Sequence, residues 1–253
     1  MKKIQHEIDK QAITNPLPGL LTESIPDSYF KNLGNIVAET RSVYGSNSKF
    51  QTPFLERNDL LPREKTSIGN YQDIHFWNHQ KRDWSIPIPS GWEQKAWCYM
   101  MNSYCRYSDF QKRLQEDERN EIKFNIQNID RSILKSETDE EYTLYRCIEN
   151  DDWMDKTNGI GYVEKAFASY SLNLNHALKY ANPDNPILLL LNIQKGTHAL
   201  YIDESEREVL MPRNTAYIAE SIEKIKFSFP TGINTTTLKE TIVYNLKIQE
   251  KWK

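Results

Sequence analysis

The spacing of apolar and polar positions changes period twice along the chain. Up to about residue 91 the apolar residues come in short clusters between turn-forming Asn, Ser and Pro. Seven of the eleven prolines (Pro16, Pro18, Pro26, Pro53, Pro62, Pro87 and Pro89) fall in this part. Only Asp27 to Tyr44 carries a helical stripe (Phe30, Leu33, Ile36, Val37), with Ser24 or Asp27 as its cap. Aromatic residues gather at Phe76, Trp77 and Trp84, a density that suggests packing on a neighbouring surface. From Trp92 the spacing is helical. Ser90 and Glu93 make a capping-box pair, and Trp97, Met101 and Tyr104 form one stripe. Ile122, Ile126, Ile129 and Ile133 form a second over Glu121 to Lys135, and the charged run Lys112 to Glu121 reads as a solvated helix end and loop.

After Tyr142 the period shortens to that of strands. Strands are predicted at Tyr142 to Ile148, Phe167 to Leu172, Ile187 to Ile193, His198 to Ile202 and Val209 to Met211. Three more are predicted at Thr215 to Ser221, Ile225 to Phe229 and Thr241 to Gln249, and a small helix at Asn175 to Ala181. Ile187 to Ile193 is apolar on both faces and so belongs in the middle of a sheet. Thr241 to Gln249 alternates, the mark of a half-buried strand. Helices followed by many strands predict an α+β fold, a mostly antiparallel two-sheet β core preceded by helices. The expected division is an irregular extension over residues 1–91 and a folded domain over 92–253.

Composition narrows the function. A net charge of −3 over 253 residues gives no bulk attraction for nucleic acid or a bilayer, and no basic cluster supports a nucleic-acid substrate. The three cysteines, Cys98, Cys105 and Cys147, are too few and odd in number for a disulfide framework, which points to a reducing compartment. The opening MKKIQHEIDK lacks the apolar stretch of a secretory signal, and Ile187 to Leu191 is too short to cross a membrane. A soluble protein with no membrane partner is expected. His6, His75, His79, His176 and His198 share no metal-ligand spacing, and no glycine-rich phosphate loop occurs, so neither a metal nor a Rossmann or P-loop site is expected.

Candidate chemistry concentrates in Tyr201 to Ala216. Glu206 and Glu208 are two apart, and on an extended backbone both carboxylates would face one side. Such close like charges resist joint ionisation and are tolerated mainly where a cation is met or a proton moved. The same spacing recurs at Glu116/Glu118 and Glu204/Glu206, so by itself it also fits a solvated acidic turn. Arg146 is the single charge in its apolar strand, a structural arginine or one with an anionic partner. Ser169 is a sheet serine bonded to backbone or a group serving a neighbouring side chain.

Three sequence words arrive in fixed order: TLYRC (Thr143 to Cys147), KAFASYS (Lys165 to Ser171) and LLLLNIQKGTHALYIDESEREVLMPRNT (Leu188 to Thr215). With the leading helix WCYMMNSYCRYSDFQKRLQ, they make Trp92 to Lys253 resemble the mono-ADP-ribosyltransferases of the Arg-Ser-Glu class. That family comprises actin-modifying binary toxins, C3-like exoenzymes and bacteriophage ADP-ribosyltransferases. The resemblance implies that NAD is the substrate, held by Arg146 and Tyr145, with Ser171 a lesser contact. It implies that Glu208 bonds the ribose 2′-hydroxyl and stabilises the cation left when nicotinamide departs, while Ser169 holds Glu208. Glu208, not Glu206, takes this role because the family places V-L-x-P after the catalytic glutamate. A glutamate at Glu206 goes with arginine-modifying or water-using members, so the expected partner is a target protein with an accessible arginine, in the cytosol of a target or host cell. Water in place of the arginine would make the chain an NAD glycohydrolase, and loss of turnover would leave a non-enzymatic interaction module. Cys147, Tyr170 and Asp203 stand where the family has glycine, the middle residue of Ser-Thr-Ser, and an aromatic.

Overall fold

The computed structural model describes residues 49–73, 96–152, 154, 161–182, 184–232 and 235–249. The helix expected over Asp27 to Tyr44, the aromatic group at Phe76, Trp77 and Trp84, and the Ser90 cap lie outside them. The described helices are α1 (Pro62–Gln72), α2 (Trp97–Arg106), α3 (Ser108–Arg113), α4 (Glu116–Leu134) and α5 (Leu174–Leu178). The strands are β1 (Tyr142–Ile148), β2 (Gly161–Glu164), β3 (Ala168–Ser171), β4 (Ile187–Ile193), β5 (Leu200–Asp203), β6 (Glu208–Met211), β7 (Thr215–Gly232) and β8 (Thr235–Ile248).

The architecture is α+β, but the strands form one eight-stranded sheet, in the order β2-β7-β8-β4-β1-β3-β6-β5, and not two sheets. The reason lies in β8. It is long enough to pair antiparallel with β7 along its length and, with Ile242 to Leu246, parallel with the central strand β4. That pairing joins strands that would otherwise belong to separate sheets. The sheet then curls: the Tyr162 hydroxyl on β2, at one edge, lies 3.4 Å from that of Tyr170 on β3, five strands along the order. Tyr162 also stacks on Tyr217 with ring centroids 4.9 Å apart. A Cβ at Gly161 would come within 2.8 Å of the Tyr217 carbonyl oxygen, so β2 can lie this close to β7 only with glycine there.

Alternation sorts the side chains between layers. Ala168 and Tyr170 on β3, and Val209 and Met211 on β6, enter the core enclosed by the curled sheet, together with Leu144, Leu189, Leu191 and Leu246. Leu200, Ile202 and Leu210 face the other way and pack with Ile68, Met100, Ile122, Ile126 and Ile129 of the helices. Ser169, Ser171 and Glu208 therefore point to the helical side.

Two elements begin where the pattern did not place them. The α4 helix starts at Glu116, inside the charged run, because the Glu118 carboxylate accepts the Gln115 N–H at 2.8 Å and three acidic residues sit at the helix's positive end. The α1 helix lies in the part read as irregular. It docks on α4 through a buried polar seam: Lys135 to Glu64 at 2.8 Å, Asn128 to Ser67 at 3.1 Å and Asn70 to Asn125 at 3.0 Å.

Candidate active site

A cleft opens where β1 and β3 part. These neighbours share one register pair, Tyr145↔Ser171, beyond which they splay. Its walls bring together every residue that the sequence singled out: Tyr145, Arg146, Ser169, Ser171, Glu206 and Glu208. Five more arrive that the sequence reading did not select: Tyr71 from α1, Asn102 and Arg106 from α2, and His176 and Tyr180 from and just after α5.

The two glutamates do not share an extended backbone as the spacing suggested. Glu206 lies in the tight turn joining β5 to β6, and Glu208 opens β6 opposite Ser171. Arg207 between them has φ +48°, a left-handed conformation that a non-glycine residue takes at a cost of about 1 kcal/mol. The reversal still leaves both carboxylates in the cleft. Ser171 holds the turn, donating its hydroxyl to the Glu206 carbonyl at 2.8 Å and accepting the Asn173 N–H at 3.0 Å. The Leu172 N–H donates to the Arg207 carbonyl at 3.0 Å. Ser171 thus shapes the backbone of the glutamate turn.

Each carboxylate has its own neighbours. The Tyr180 hydroxyl donates to Glu206 Oε1 at 3.1 Å, and His176 Nε2 lies 3.7 Å from Oε2. Burial and then the Glu206 charge push the Tyr180 phenol above its ordinary range, so it remains a donor. Burial is also the main reason that the Glu208 carboxyl rises from 4.5 to about 7. Glu206 and Asp203 push in the same direction, while a hydrogen bond from Ser169 and the charge of Arg146 oppose it. A carboxylate held near neutrality, in a cleft with a guanidinium, suits a group meant to meet a transient cation.

Arg146 sits in the fork of the splayed strands, its Cζ 6.0 Å from the centre of the Tyr170 ring. Tyr170 itself is buried in the inner core. Arg106 is fixed by a bidentate pair with Glu164 on β2, at 2.9 and 3.1 Å, and its neighbourhood includes the Arg146 charge. The cleft therefore offers a cationic group at Arg146, the Arg106 charge being balanced by Glu164, and an anionic region at Glu206 and Glu208. That polarity suits a ligand with phosphate at one end and developing positive charge at the other. Tyr201 is buried beside Phe50, with ring centroids 6.4 Å apart, and so does not supply the exposed aromatic that Asp203 displaces. Cys98 also lines the cleft, but burial and then the nearby Glu208 push its thiol up to about 12, which keeps it protonated. Among the described residues no group of three or more His, Cys, Asp or Glu is placed to hold a metal, and no helix is long and apolar enough to cross a membrane.

No curated protein sequence matches this chain. Among solved structures, Plx2a, an ADP-ribosyltransferase toxin from Paenibacillus larvae, is 17% identical, covering 89% of this chain and 98% of its own, with a TM-score of 0.48. C3larvin toxin, an ADP-ribosyltransferase from the same organism, is 24% identical over 59% of this chain and 86% of its own, with a TM-score of 0.38. C3stau2 from S. aureus, solved with NAD, is 20% identical over 87% and 94%, with a TM-score of 0.47. The family model for the ADP-ribosyltransferase exoenzyme matches residues 93–248, more than half of the 253, and the chain belongs to that family.

Proposed function

We propose that the protein transfers ADP-ribose from NAD to arginine side chains of a target protein and releases nicotinamide. The observation that carries this reading is the convergence of Arg146, Ser169, Glu206 and Glu208 on one cleft from three separate stretches of chain. Arg146 holds the pyrophosphate, a guanidinium being the natural donor to paired phosphate oxygens, with Tyr145 beside it. The bond between nicotinamide nitrogen and ribose carbon breaks with its electron pair going to nicotinamide, which leaves an oxocarbenium-like ribosyl cation. Glu208, ionised and oriented through Ser169, bonds the ribose 2′-hydroxyl and stabilises that cation. Glu206 pairs with the incoming guanidinium and accepts one of its protons, so that the freed nitrogen attacks the ribose carbon. The Tyr180 hydroxyl at 3.1 Å keeps the Glu206 carboxylate turned into the cleft. Residues 92–253 supply these groups, and the action takes place in the cytosol of a target or host cell.

Incubation with labelled NAD and a cell lysate tests the reading. Label on protein, mapped by mass spectrometry to arginine, is the expected result. Free ADP-ribose with unlabelled protein would instead identify an NAD glycohydrolase. Glu206→Gln is expected to lower arginine transfer by roughly 10²-fold or more, the usual size of a general-base contribution, while part of the hydrolysis survives. Equal loss of both activities would undo the division of labour between the two glutamates. Arg146→Ala is expected to weaken NAD binding roughly 10- to 100-fold, as loss of a charge-assisted hydrogen bond does. An unchanged dissociation constant by calorimetric titration would remove Arg146 from the phosphate site.

A further inference from the structure

Ser171 ties α5 to the glutamate turn. Its hydroxyl donates to the Glu206 carbonyl and accepts the Asn173 N–H, and the Asn173 side chain caps α5 by accepting the Asn175 and His176 N–H groups at 2.9 and 3.4 Å. At the other end Leu178 is buried with Cys147, Leu188 and Val243. The Tyr180 N–H donates to the Ala177 carbonyl at 3.0 Å, which continues the turn as far as Tyr180. The α5 helix is therefore fixed to the same backbone that carries Glu206. His176 and Tyr180, four residues apart, fall on one side of it and line the cleft. Their rings lie 5.4 Å apart, tilted by 50°. Both address one carboxylate: Tyr180 donates to Oε1 at 3.1 Å, and His176 Nε2 faces Oε2 at 3.7 Å.

At 3.7 Å the His176 and Glu206 side chains are adjacent but beyond the ~2.9 Å of a formed hydrogen bond, so they share no proton at rest. His176 Nε2 is buried and has no hydrogen-bond partner among the described residues. Leaving such an atom unpaired costs about 1–3 kcal/mol, and a histidine kept only for packing would have it satisfied. The reaction supplies the missing proton. A cationic nicotinamide ring and a guanidinium enter, while neutral nicotinamide and a product that is again a guanidinium leave, so each transfer frees one proton. Glu206 takes it from the attacking nitrogen and must lose it before the next turnover. We propose that His176 receives this proton from Glu206: the bond to Oε2 breaks, one to Nε2 forms, the carboxylate is restored and the imidazolium gives the proton up to water. This rests on the reading that Glu206 deprotonates the arginine. His176 does not touch the reacting atoms and acts through Glu206. With Oε1 engaged by Tyr180, Oε2 is the oxygen left to carry the proton, and it is the one that faces the imidazole. Imidazole is the side chain best suited to take up and release a proton near neutral pH. The other charged groups lining the cleft are Asp203 on β5, Glu208 on β6 and Arg146 on β1, with Arg106 on α2 paired to Glu164.

The test uses the full chain with NAD and agmatine, a small guanidinium, as acceptor. His176→Gln keeps a polar group near the place of Nε2 but cannot take up a proton. Transfer is expected to fall roughly tenfold in kcat, less than for loss of the base itself, with the KM for NAD within about twofold of the parent. In a Glu206→Gln background the same change should cost nothing further, because the proton no longer arrives there. His176→Ala should regain most of its transfer when imidazole is added, in proportion to the free base. Pyrazole, a ring of the same shape with little basicity near neutral pH, should restore none. Wild-type kcat in His176→Gln, or full additivity with Glu206→Gln, would overturn the relay. So would rescue by pyrazole as good as by imidazole, which would reduce His176 to a space-filling ring, or no rescue at all in a folded His176→Ala. Should His176→Ala not fold, His176→Gln and its double variant decide the matter. Failure of the unaltered protein to modify agmatine or any lysate protein would refute the proposed function and the relay with it, whereas normal transfer in both the parent and His176→Gln refutes the relay alone.

Discussion

Replacing Glu208 with Gln is expected to lower NAD cleavage by roughly 10³-fold and, in the same protein, to raise the melting temperature above pH 7. The first effect follows from removing the charge opposite the ribosyl cation. The second follows from what that charge costs the folded chain at rest. Burial and the neighbouring Glu206 and Asp203 raise the Glu208 carboxyl from 4.5 to about 7. Between these values the folded protein binds a proton that the unfolded chain has already released. Stability therefore falls as pH rises through that window, and the loss is complete above about 7. The penalty is on the order of 3 kcal/mol, and an uncharged Gln of nearly the same shape does not incur it. Melting temperatures of the two proteins should coincide near pH 4, where both side chains are neutral, and differ by roughly 5–10 °C at pH 8. A constant difference across that range would mean that the carboxyl is not held neutral by its surroundings. In the free enzyme kcat/KM should rise with pH through about 7, as Glu208 ionises. Stability and activity then change in opposite directions over one titration, the trade expected where a site is preorganised for a charge that its substrate only later neutralises.

The parts of this site that were legible in the sequence are those carried by local chain. The strands β1 and β4 begin and end where the pattern placed them, since seven residues with so little polarity have few alternatives. Arg146, Ser169, Glu206 and Glu208 stood out as words in order, and the fold brings them to one cleft. The α1 helix was not legible because its buried face is half polar: Glu64 and Ser67 share it with Ile68 and Tyr71, and a search for an apolar stripe passes over such a face. The β2 strand is four residues long, and Val163 on it points to solvent, so no alternation marks it. The β7 strand looked like two because Ile222 to Lys224 is exposed. There the hairpin runs past the core, and hydrogen bonds to β8 maintain it without burial. Tyr71, Asn102 and Tyr180 escaped notice for a different reason. Their significance is relational: Asn102 meets Tyr71 across 31 residues and Tyr180 meets Glu206 across 26, and no local pattern encodes either pair.

That relational character makes the attachment of α1 the second place where a single change should have a large effect. Lys135 and Glu64 are both almost fully buried, and the ammonium reaches both carboxylate oxygens, at 2.8 and 3.0 Å. Its remaining proton goes to the Asp59 carbonyl at 3.0 Å, while Glu64 also accepts the Leu61 N–H at 2.8 Å and so caps α1. Every strong hydrogen-bonding valence of the pair is satisfied, the condition under which a buried ion pair is tolerated. Lys135→Met fills the space of the lysine stem and leaves the Glu64 charge without its counterion. The expected cost is about 3–5 kcal/mol, a fall of roughly 10 °C or more in melting temperature. Adding Glu64→Gln to Lys135→Met should recover part of that loss, because the stranded charge and not the missing contact is the larger penalty. A cost below about 1 kcal/mol for the single change would place the pair among exposed bridges of little worth. Functional loss should precede unfolding. Since α1 carries Tyr71 into the cleft, a chain in which α1 loosens locally would lose NAD cleavage at temperatures where the sheet is still intact, visible as early hydrogen exchange in Pro62–Gln72. Activity and global unfolding that decline together in Lys135→Met would show instead that α1 does not open on its own.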